Sequence, residues 1–290
     1  MTTALIFGAN GQDGYYLARL CREFGIEPVG VSRSGDWIHA DVSSSSQVRD
    51  LMQQQKPEYI FHLAGNSTTG PEALQENLAT IANGTVNILE ASAVFCPLAK
   101  IFITGSGVQF KNVGKPISES DPFEASSAYA LARIQSVYTA RYYRSRGMRV
   151  YVGYLFHHES THRPKRHVSQ LIAQAAQRIA AGSTEKIQLG DIAVRKEWVF
   201  AGDAVRGMFA LMNQEQVFEA AIGSGIAYSI EDWLNECFQI IGRDWRPHVA
   251  LLEGFQPEYR CLVSNPETMR TLGWLPTVTF PDLAQMMVRG

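Results

Sequence analysis

Three glycines stand at a spacing that suits the binding of a phosphate group. They lie in the run Gly8-Ala9-Asn10-Gly11-Gln12-Asp13-Gly14, directly after a short apolar segment. In such a run the first glycine permits a tight turn, the second lets the backbone approach a pyrophosphate, and the third lets a helix pack closely. The free N–H groups at the start of the following helix favour negative charge. The run therefore predicts a dinucleotide-binding loop, the alternative being a plain glycine-rich turn.

The end of the second apolar segment indicates which dinucleotide is bound. It reads Ser32-Arg33 and lacks the acidic residue that would bind an unmodified ribose diol. A guanidinium beside hydroxyl groups suits a 2'-phosphate instead, so NADP(H) is predicted in preference to NAD(H). The alternative is that Arg33 is an ordinary solvated loop charge. The cofactor contacts predicted in this part of the chain are Gly8, Asn10, Gly11, Gln12, Asp13, Gly14, Ser32, Arg33, Asp41, Val42, Leu63, Ala64 and Gly65.

Loops of this kind need a sheet to hold them. Apolar runs predict strands at 3–7, 28–32, 58–63, 99–105 and 149–155, and longer segments between them predict helices at 12–25, 44–55, 71–95 and 125–147. Alternation of this kind favours an α/β fold, a Rossmann-type doubly wound parallel sheet. The alternation ends after Phe156, and a helix is predicted at 168–182. We therefore expect a cofactor-binding domain at 1–156 and a smaller, mainly substrate-binding part at 157–290, with some segments returning to the first domain.

Composition narrows the classes of partner. The 290 residues are 46% apolar and 19% charged with a net charge of −2, which favours neither disorder nor nucleic-acid binding. The four cysteines show no spacing typical of a metal site or a disulfide framework. No apolar run approaches the roughly 20 residues that span a bilayer, and the N-terminus lacks a signal-peptide pattern. We expect a cytoplasmic protein with a small-molecule partner, no metal and no membrane contact.

Four further motifs carry a resemblance to a known family. They are Gly11-Gln12-Asp13-Gly14-Tyr15-Tyr16-Leu17, Leu155-Phe156-His157-His158-Glu159-Ser160, the segment from Leu189-Gly190-Asp191 to Arg195-Lys196-Glu197-Trp198, and Leu272-Gly273-Trp274-Leu275-Pro276. Together they resemble the extended short-chain dehydrogenase/reductases, and within them GDP-mannose 4,6-dehydratases and the related GDP-4-keto-6-deoxyhexose reductases. The resemblance covers nearly the whole chain.

The resemblance implies three catalytic residues. Tyr129 occupies the position of the family's tyrosine, and Ser106 that of the hydroxyl residue at the end of the preceding strand. Arg133 stands where the family has lysine, four residues after the tyrosine and on the same helical face. Arginine keeps the positive charge that supports a tyrosinate, but it does not exchange a proton at neutral pH. Tyr129, Arg133 and Phe156 are also implied as cofactor contacts.

Position 108 departs from the family in a way that bears on the reaction. The dehydratases carry a glutamate there that removes the C5 proton of the sugar, whereas this chain has Val108, which is neither an acid nor a base. Hydride transfer to or from a carbonyl needs no such group. The sequence therefore predicts reduction of a 4-keto-6-deoxy-hexose or related keto-sugar nucleotide. A 4,6-dehydratase or 4-epimerase with an unrecognised base is the alternative, and a non-catalytic NADP(H)-binding regulatory protein is a third possibility.

The resemblance also implies a substrate site and a partner. Cations at 163–166 and 195–196 are a predicted supply of charge for the substrate pyrophosphate. The implied substrate contacts are Ser67, Ser106, His157, His158, Glu159, Val168, Arg195 and Lys196. The runs from Glu72 to Glu90 and from Ser126 to Tyr143 resemble the helix pair through which the family dimerises, so a homodimer is expected.

Overall fold

The computed structural model describes residues 2–290, and the first half of the chain alternates strands with helices. In chain order the elements are β1 (Thr3–Phe7), α1 (Gln12–Glu23), β2 (Glu27–Ser32), β3 (Ile38–His39), α2 (Ser45–Gln55), β4 (Tyr59–His62), α3 (Leu74–Asn77), α4 (Gly84–Phe95), β5 (Lys100–Ser106), α5 (Ala128–Ser145) and β6 (Arg149–Leu155). Short 3₁₀ turns occur at Pro71–Ala73 and Gly107–Gln109. A π-helical segment, Leu78–Asn83, joins α3 to α4.

The second half consists of shorter elements. They are β7 (His158–Glu159), α6 (Val168–Ala180), β8 (Ile187–Leu189), β9 (Arg195–Lys196), β10 (Val199–Phe200), α7 (Ala201–Met212), β11 (Glu219–Ile222), β12 (Tyr228–Ser229), α8 (Ile230–Ile240), β13 (Val249–Leu251), β14 (Cys261–Leu262), α9 (Glu267–Thr271) and α10 (Phe280–Arg289). Several of the strands are only two residues long, so they cross-link loops without forming a second large sheet.

A seven-stranded parallel sheet forms the centre of the protein. Its strand order is β11-β6-β5-β4-β1-β2-β3, and every neighbouring pair is parallel. One face packs against α2, α4 and α5, and the other against α1 and α7. Because apolar cores cover both faces, the strands are almost continuously buried, as is typical of parallel sheets. The strand order reverses between β1 and β4, which is where such sheets bind ligands.

The helical stretch Pro71–Phe95 is long and apolar enough to cross a membrane by length and composition. A helix is predicted at 71–95, but no apolar run there is expected to approach the length that spans a bilayer. Half of its most apolar window is buried inside the protein, where α4 packs against α2 and α5. Burial of that kind is typical of a core helix in a globular domain.

The C-terminal part has a core of its own, built from α6, α8 and α10. Trp198 stacks on Trp233 with ring centroids 4.6 Å apart, and Phe280 packs against both rings. Trp198 is therefore a core residue. The chain does not stay in this part, because α7 packs on the large sheet and β11 extends it beside β6.

The predicted fold class is confirmed, and the five predicted strands of the sheet each match an observed strand to within one residue at either end. The predicted helix 125–147 starts later, at Ala128, because the Ser127 hydroxyl accepts a hydrogen bond from the backbone N–H of Ala130 and caps the helix there.

Candidate active site

One cleft runs along the carboxyl edge of the large sheet. It consists of two cavities of about 510 and 440 Å³ that share Gly8, Gly11, Leu63, Gly65 and Arg166. We name them the β2 end and the β6 end, after the strands whose carboxyl ends they adjoin. The predicted residues that line the β2 end are Gly8, Asn10, Gly11, Ser32, Arg33, Asp41, Val42, Leu63, Ala64 and Gly65. Those that line the β6 end are Gly8, Gly11, Gln12, Asp13, Gly14, Leu63, Gly65, Ser67, Ser106, Tyr129, Arg133, Phe156, His157, His158, Val168 and Lys196.

The glycine loop has the geometry that a dinucleotide requires. Gly8 has φ +91°, and a Cβ there would lie 2.6 Å from the backbone nitrogen of Ala64. A Cβ at Gly14 would lie 2.5 Å from the carbonyl oxygen of Ala9. Gly11 begins α1 without a side-chain cap, so first-turn N–H groups face the cleft unclaimed by a side chain. The loop therefore fits a bound pyrophosphate, which these N–H groups would hold.

The glycine loop is bonded directly to the segment that follows β6. The Gln12 amide donates to the carbonyl oxygen of His158 at 3.2 Å and accepts from the Ser160 hydroxyl at 2.8 Å. The imidazole Nε2 of His158 lies 2.9 Å from the Asp13 carboxylate, and its Nδ1 lies 2.7 Å from the carbonyl oxygen of Phe156. Two motifs that are 146 residues apart in sequence thus form one hydrogen-bonded unit.

Charge reinforces this unit. Burial opposes ionisation of both partners, but the carboxylate of Asp13 raises the pKa of His158 above its usual value. The imidazolium in turn lowers the pKa of Asp13 despite the burial of that carboxyl. An imidazolium also satisfies both flanking oxygens, whereas a neutral ring carries only one N–H. The pair is therefore favoured in its charged form near neutral pH.

The three predicted catalytic residues lie together at the β6 end. Ser106 ends β5, and its hydroxyl caps the 3₁₀ turn that follows. Tyr129 sits in the first turn of α5, half-buried, with the guanidinium carbon of Arg133 5.0 Å from its ring centroid. Arg133 is buried, and its Nη1 donates to the carbonyl oxygen of Thr104 at 2.6 Å. Within residues 2–290 its Nε has no hydrogen-bond partner. A cation with a spare donor thus lies beside the phenol.

His62 ends β4 beneath this group and is fully buried, with its Nε2 3.2 Å from the carbonyl oxygen of Ile81. Burial and the nearby Arg133 lower the pKa of His62 to about 4. The ring is therefore neutral at physiological pH, as expected of a packing residue.

Val108 lines the β6 end at the position of the missing glutamate. Glu258 lines the same cavity, and both residues also border a smaller adjoining cavity. Partial burial raises the pKa of the Glu258 carboxyl. A carboxyl group that can act as an acid or a base thus lies in the same wall of the cleft.

A buried charge network forms the far wall of the β6 end. Glu159 lies outside the cleft lining, fully buried, and its carboxylate is 3.2 Å from Nε of Arg163 and 3.9 Å from Nζ of Lys196. Burial would raise the pKa of Glu159, but these two cations outweigh it and lower the pKa. Glu159 is therefore a positioning residue that holds Arg163 and Lys196 at the cleft.

His157 contacts the same wall, and its Nε2 lies 3.0 Å from the phenol oxygen of Tyr259. Burial, and then the charges of Lys196 and Arg163, hold the pKa of His157 well below its usual value. The imidazole is therefore neutral, and its Nε2 shares a hydrogen bond with the phenol of Tyr259.

Arg195 is a correction to the predicted substrate contacts. It precedes Lys196 on β9, and successive side chains of a strand point to opposite sides. Lys196 points into the cleft, whereas Arg195 is exposed and its guanidinium donates to the carbonyl oxygen of Ala227 at 2.7 Å. Adjacent cations in the sequence therefore have different surroundings.

The β2 end contains the predicted specificity residues. The Asn10 amide donates to the carbonyl oxygen of Ser34 and fixes the turn after β2. The guanidinium of Arg33 lies 3.3 Å from the carboxylate of Glu76, a residue of α3. Glu76 and Tyr259 are absent from the predicted site residues because they lie in no motif, and only the fold brings them to the cleft.

The comparison with known protein families agrees with this geometry. A family model described as GDP-mannose 4,6 dehydratase matches residues 32–287. The chain belongs to the GDP-mannose 4,6 dehydratase family. The resemblance predicted from the motifs is thereby confirmed.

This dehydratase-family chain also resembles individual proteins along its length. GDP-mannose 4,6 dehydratase 1 of Arabidopsis thaliana is 29% identical over 98% of this chain and 88% of its own length. GDP-mannose 4,6-dehydratase of Vibrio cholerae is 26% identical over 98% and 92%, respectively. The relatives are dehydratases, so the predicted reduction is not confirmed and the alternative of a dehydratase-like enzyme is better supported.

Solved structures confirm the fold of this family member. The RMD protein of Pseudomonas aeruginosa, in complex with NADPH, has a TM-score of 0.87 at 19% identity and covers 100% of this chain and 98% of its own. The dTDP-glucose 4,6-dehydratase of Bacillus anthracis, in complex with NAD, has a TM-score of 0.87 at 16% identity and covers 100% and 96%. Neighbours thus bind either nicotinamide dinucleotide.

Proposed function

We propose that this protein transfers a hydride at a carbon of a nucleotide-linked hexose, with a nicotinamide dinucleotide held across the glycine loop. The observation that carries the proposal is the placement of Ser106, Tyr129 and Arg133 in one cavity that continues into the glycine loop. A bound nicotinamide supplies the hydride acceptor or donor. Family membership supports a nucleotide-sugar substrate.

The side chains have distinct roles in this step. The hydroxyl of Ser106 donates a hydrogen bond to the reacting sugar oxygen, and the phenol of Tyr129 exchanges the proton that the oxygen loses or gains. Arg133 stabilises the tyrosinate by its charge. Because the guanidinium does not release a proton at neutral pH, the proton on Tyr129 must come from the sugar or from solvent.

The first candidate reaction is the 4,6-dehydration of a GDP-linked hexose, which the named relatives favour. After oxidation at C4, a base takes the C5 proton, the C5–H electron pair forms the C5–C6 double bond, and the C6 hydroxyl leaves as water once it is protonated. The hydride then returns to C6, and C5 takes up a proton from the base or from solvent, which gives the 4-keto-6-deoxy sugar. Val108 supplies no base for this sequence. We assign that role to Glu258, whose carboxyl lies in the same wall and whose pKa is raised.

The second candidate reaction is the reduction of a 4-keto-6-deoxy-hexose nucleotide. The specific observation in its favour is Val108 at the β6 end, because reduction needs a proton donor at the carbonyl oxygen but no base at C5. The same Tyr129 phenol would then donate its proton to the forming alkoxide.

Incubation with two substrates separates the candidates. Formation of a 4-keto sugar from GDP-mannose without net change in the cofactor supports dehydration. Consumption of NADPH with GDP-4-keto-6-deoxymannose, and no reaction of GDP-mannose, supports reduction. Binding of a dinucleotide with neither reaction would refute the enzymatic proposal in favour of a regulatory protein.

We further propose NADP(H) as the preferred cofactor, on the basis of Ser32 and Arg33 at the β2 end. A homodimer is proposed from the exposed aromatic residues Tyr138 and Tyr142 of α5 and the exposed Val94 of α4. Exposed apolar groups on neighbouring helices are typical of an interface. The cytoplasmic location stays a prediction.

A further inference from the structure

The guanidinium of Arg33, the predicted contact of a 2'-phosphate, already forms an ion pair with the carboxylate of Glu76. Nη2 of Arg33 lies 3.3 Å from Oε1 of Glu76, and both side chains line the β2 end. Arg33 follows β2, whereas Glu76 belongs to α3. The ion pair therefore joins two elements that both line this cavity.

A third residue fixes the carboxylate. The Asn66 amide nitrogen donates to Oε2 of Glu76 at 2.9 Å. Its amide oxygen accepts from the backbone N–H of Thr68 at 3.1 Å and from the Thr68 hydroxyl at 2.8 Å, which sets the orientation of the amide. Hydrogen bonds from Asn66 and Arg33 lower the pKa of Glu76, so the group is a carboxylate at neutral pH.

The charges that line the β2 end balance. Arg33 and Arg166 contribute two positive charges, and Asp41 and Glu76 two negative ones. A 2'-phosphate that enters this end must share or displace the Glu76 carboxylate on Arg33, and the two anions repel each other. A ribose with a free 2'-hydroxyl meets no such competition, and the carboxylate of Glu76 accepts hydrogen bonds from hydroxyl groups.

The pair is solvent-exposed, with 63% of the Arg33 side chain and 42% of the Glu76 side chain accessible, so it can open to admit a ligand. We propose that Glu76 tunes the cofactor selectivity of this protein as the counter-ion of Arg33, and thereby narrows the preference for NADP(H) over NAD(H). The inference rests on the proposed binding of a nicotinamide dinucleotide. Glu76 acts on the cofactor through Arg33 and is not a catalytic residue.

The test is calorimetric titration of the full-length protein with NADP⁺ and with NAD⁺. Glu76→Gln keeps the size and the Asn66 hydrogen bond but removes the charge. We expect it to raise the ratio of the NAD⁺ to the NADP⁺ dissociation constant about threefold, chiefly by tighter binding of NADP⁺ at low salt, because the pair is exposed to solvent. Arg33→Gln should abolish the preference, and in that background Glu76→Gln should have less than half of its effect on the ratio.

Glu72→Gln is the matched control. Glu72 lies four residues before Glu76, is exposed and does not line the cleft, so its replacement removes the same charge without touching the cavity. A Glu76→Gln ratio equal to that of the wild type, or to that of Glu72→Gln, would overturn the inference while leaving the proposed function standing. Absence of binding of both dinucleotides to the folded wild-type protein would overturn the proposed function and the inference with it.

Discussion

Replacement of Asp13 by asparagine removes one charge from the unit that ties the glycine loop to the segment after β6. The carboxylate of Asp13 lies 2.9 Å from Nε2 of His158, and the side chains are only 21% and 12% exposed. In Asp13→Asn the imidazolium loses its counter-ion, and the ring is then favoured in its neutral form. The neutral ring can still donate from Nδ1 to the carbonyl oxygen of Phe156 and accept at Nε2 from the introduced amide N–H, so the variant loses the ion pair but keeps the hydrogen bonds.

The cost follows from this burial. Because the hydrogen bonds to the ring can be kept, the expected loss of unfolding free energy is that of a partly buried ion pair, about 1–2 kcal/mol. For a chain of this size that loss corresponds to a fall in Tm of about 2–8 °C.

The pair also predicts a dependence on pH. The folded pKa of His158 is raised, so its contribution to stability is complete below about pH 6.5, the unfolded value, and is lost as pH rises through the folded pKa. The folded pKa of Asp13 is lowered, so its contribution is complete above about pH 4 and is lost as pH falls through the folded pKa. The pair therefore stabilises the fold most between about pH 4 and 6.5.

Urea unfolding at about pH 5.5 and about pH 8.5, on either side of the usual histidine pKa, measures both effects. We expect the unfolding free energy of the wild type to fall between the lower and the higher pH by more than that of Asp13→Asn does. Asp50→Asn, at an exposed position of α2, is the control for the loss of one carboxylate. Equal unfolding free energies of wild type and Asp13→Asn at the lower pH would refute the reasoning. An equal pH dependence of the two would do so too.

Three further predictions concern activity and the C-terminal core. Tyr129→Phe should lower turnover at least about 100-fold in either candidate reaction while leaving the cofactor dissociation constant within about twofold, and a turnover close to the wild-type value would exclude Tyr129 as the proton donor. Glu258→Gln should lower the rate of GDP-mannose dehydration about 100-fold while sparing reduction of the 4-keto sugar, and Val108→Glu should restore dehydration in that background. An unchanged dehydration rate in Glu258→Gln would argue against Glu258 as the base. Trp233→Ala should lower the unfolding free energy measured with urea by about 3–5 kcal/mol, because the ring is fully buried against Trp198 and its indole N–H donates to the carbonyl oxygen of Ser169. A loss below about 1 kcal/mol would contradict the packing.

The large sheet was predictable because each of its strands except β3 and β11 is an apolar run between longer helical segments. The short strands β7 to β14 were not, since a two-residue strand such as β9 has no periodicity to detect. The three predicted catalytic residues were identified from motifs. The cleft position of Glu76 and the place of Glu258 beside Val108 could not be found this way, because both depend on how distant segments fold back onto the sheet.

The return of the chain to the large sheet after the C-terminal part has begun limits how the protein can be divided. A fragment that ends at Phe156 would lack α7 and β11, which cover one sheet face and the open side of β6. The fragment would expose the unpaired backbone of a long apolar strand, together with the ring of Tyr151, and strands of this kind pair with other chains. The cofactor-binding half should therefore aggregate when produced alone. Division of the chain at the predicted domain boundary after Phe156 would therefore also divide the hydrophobic core of the large sheet.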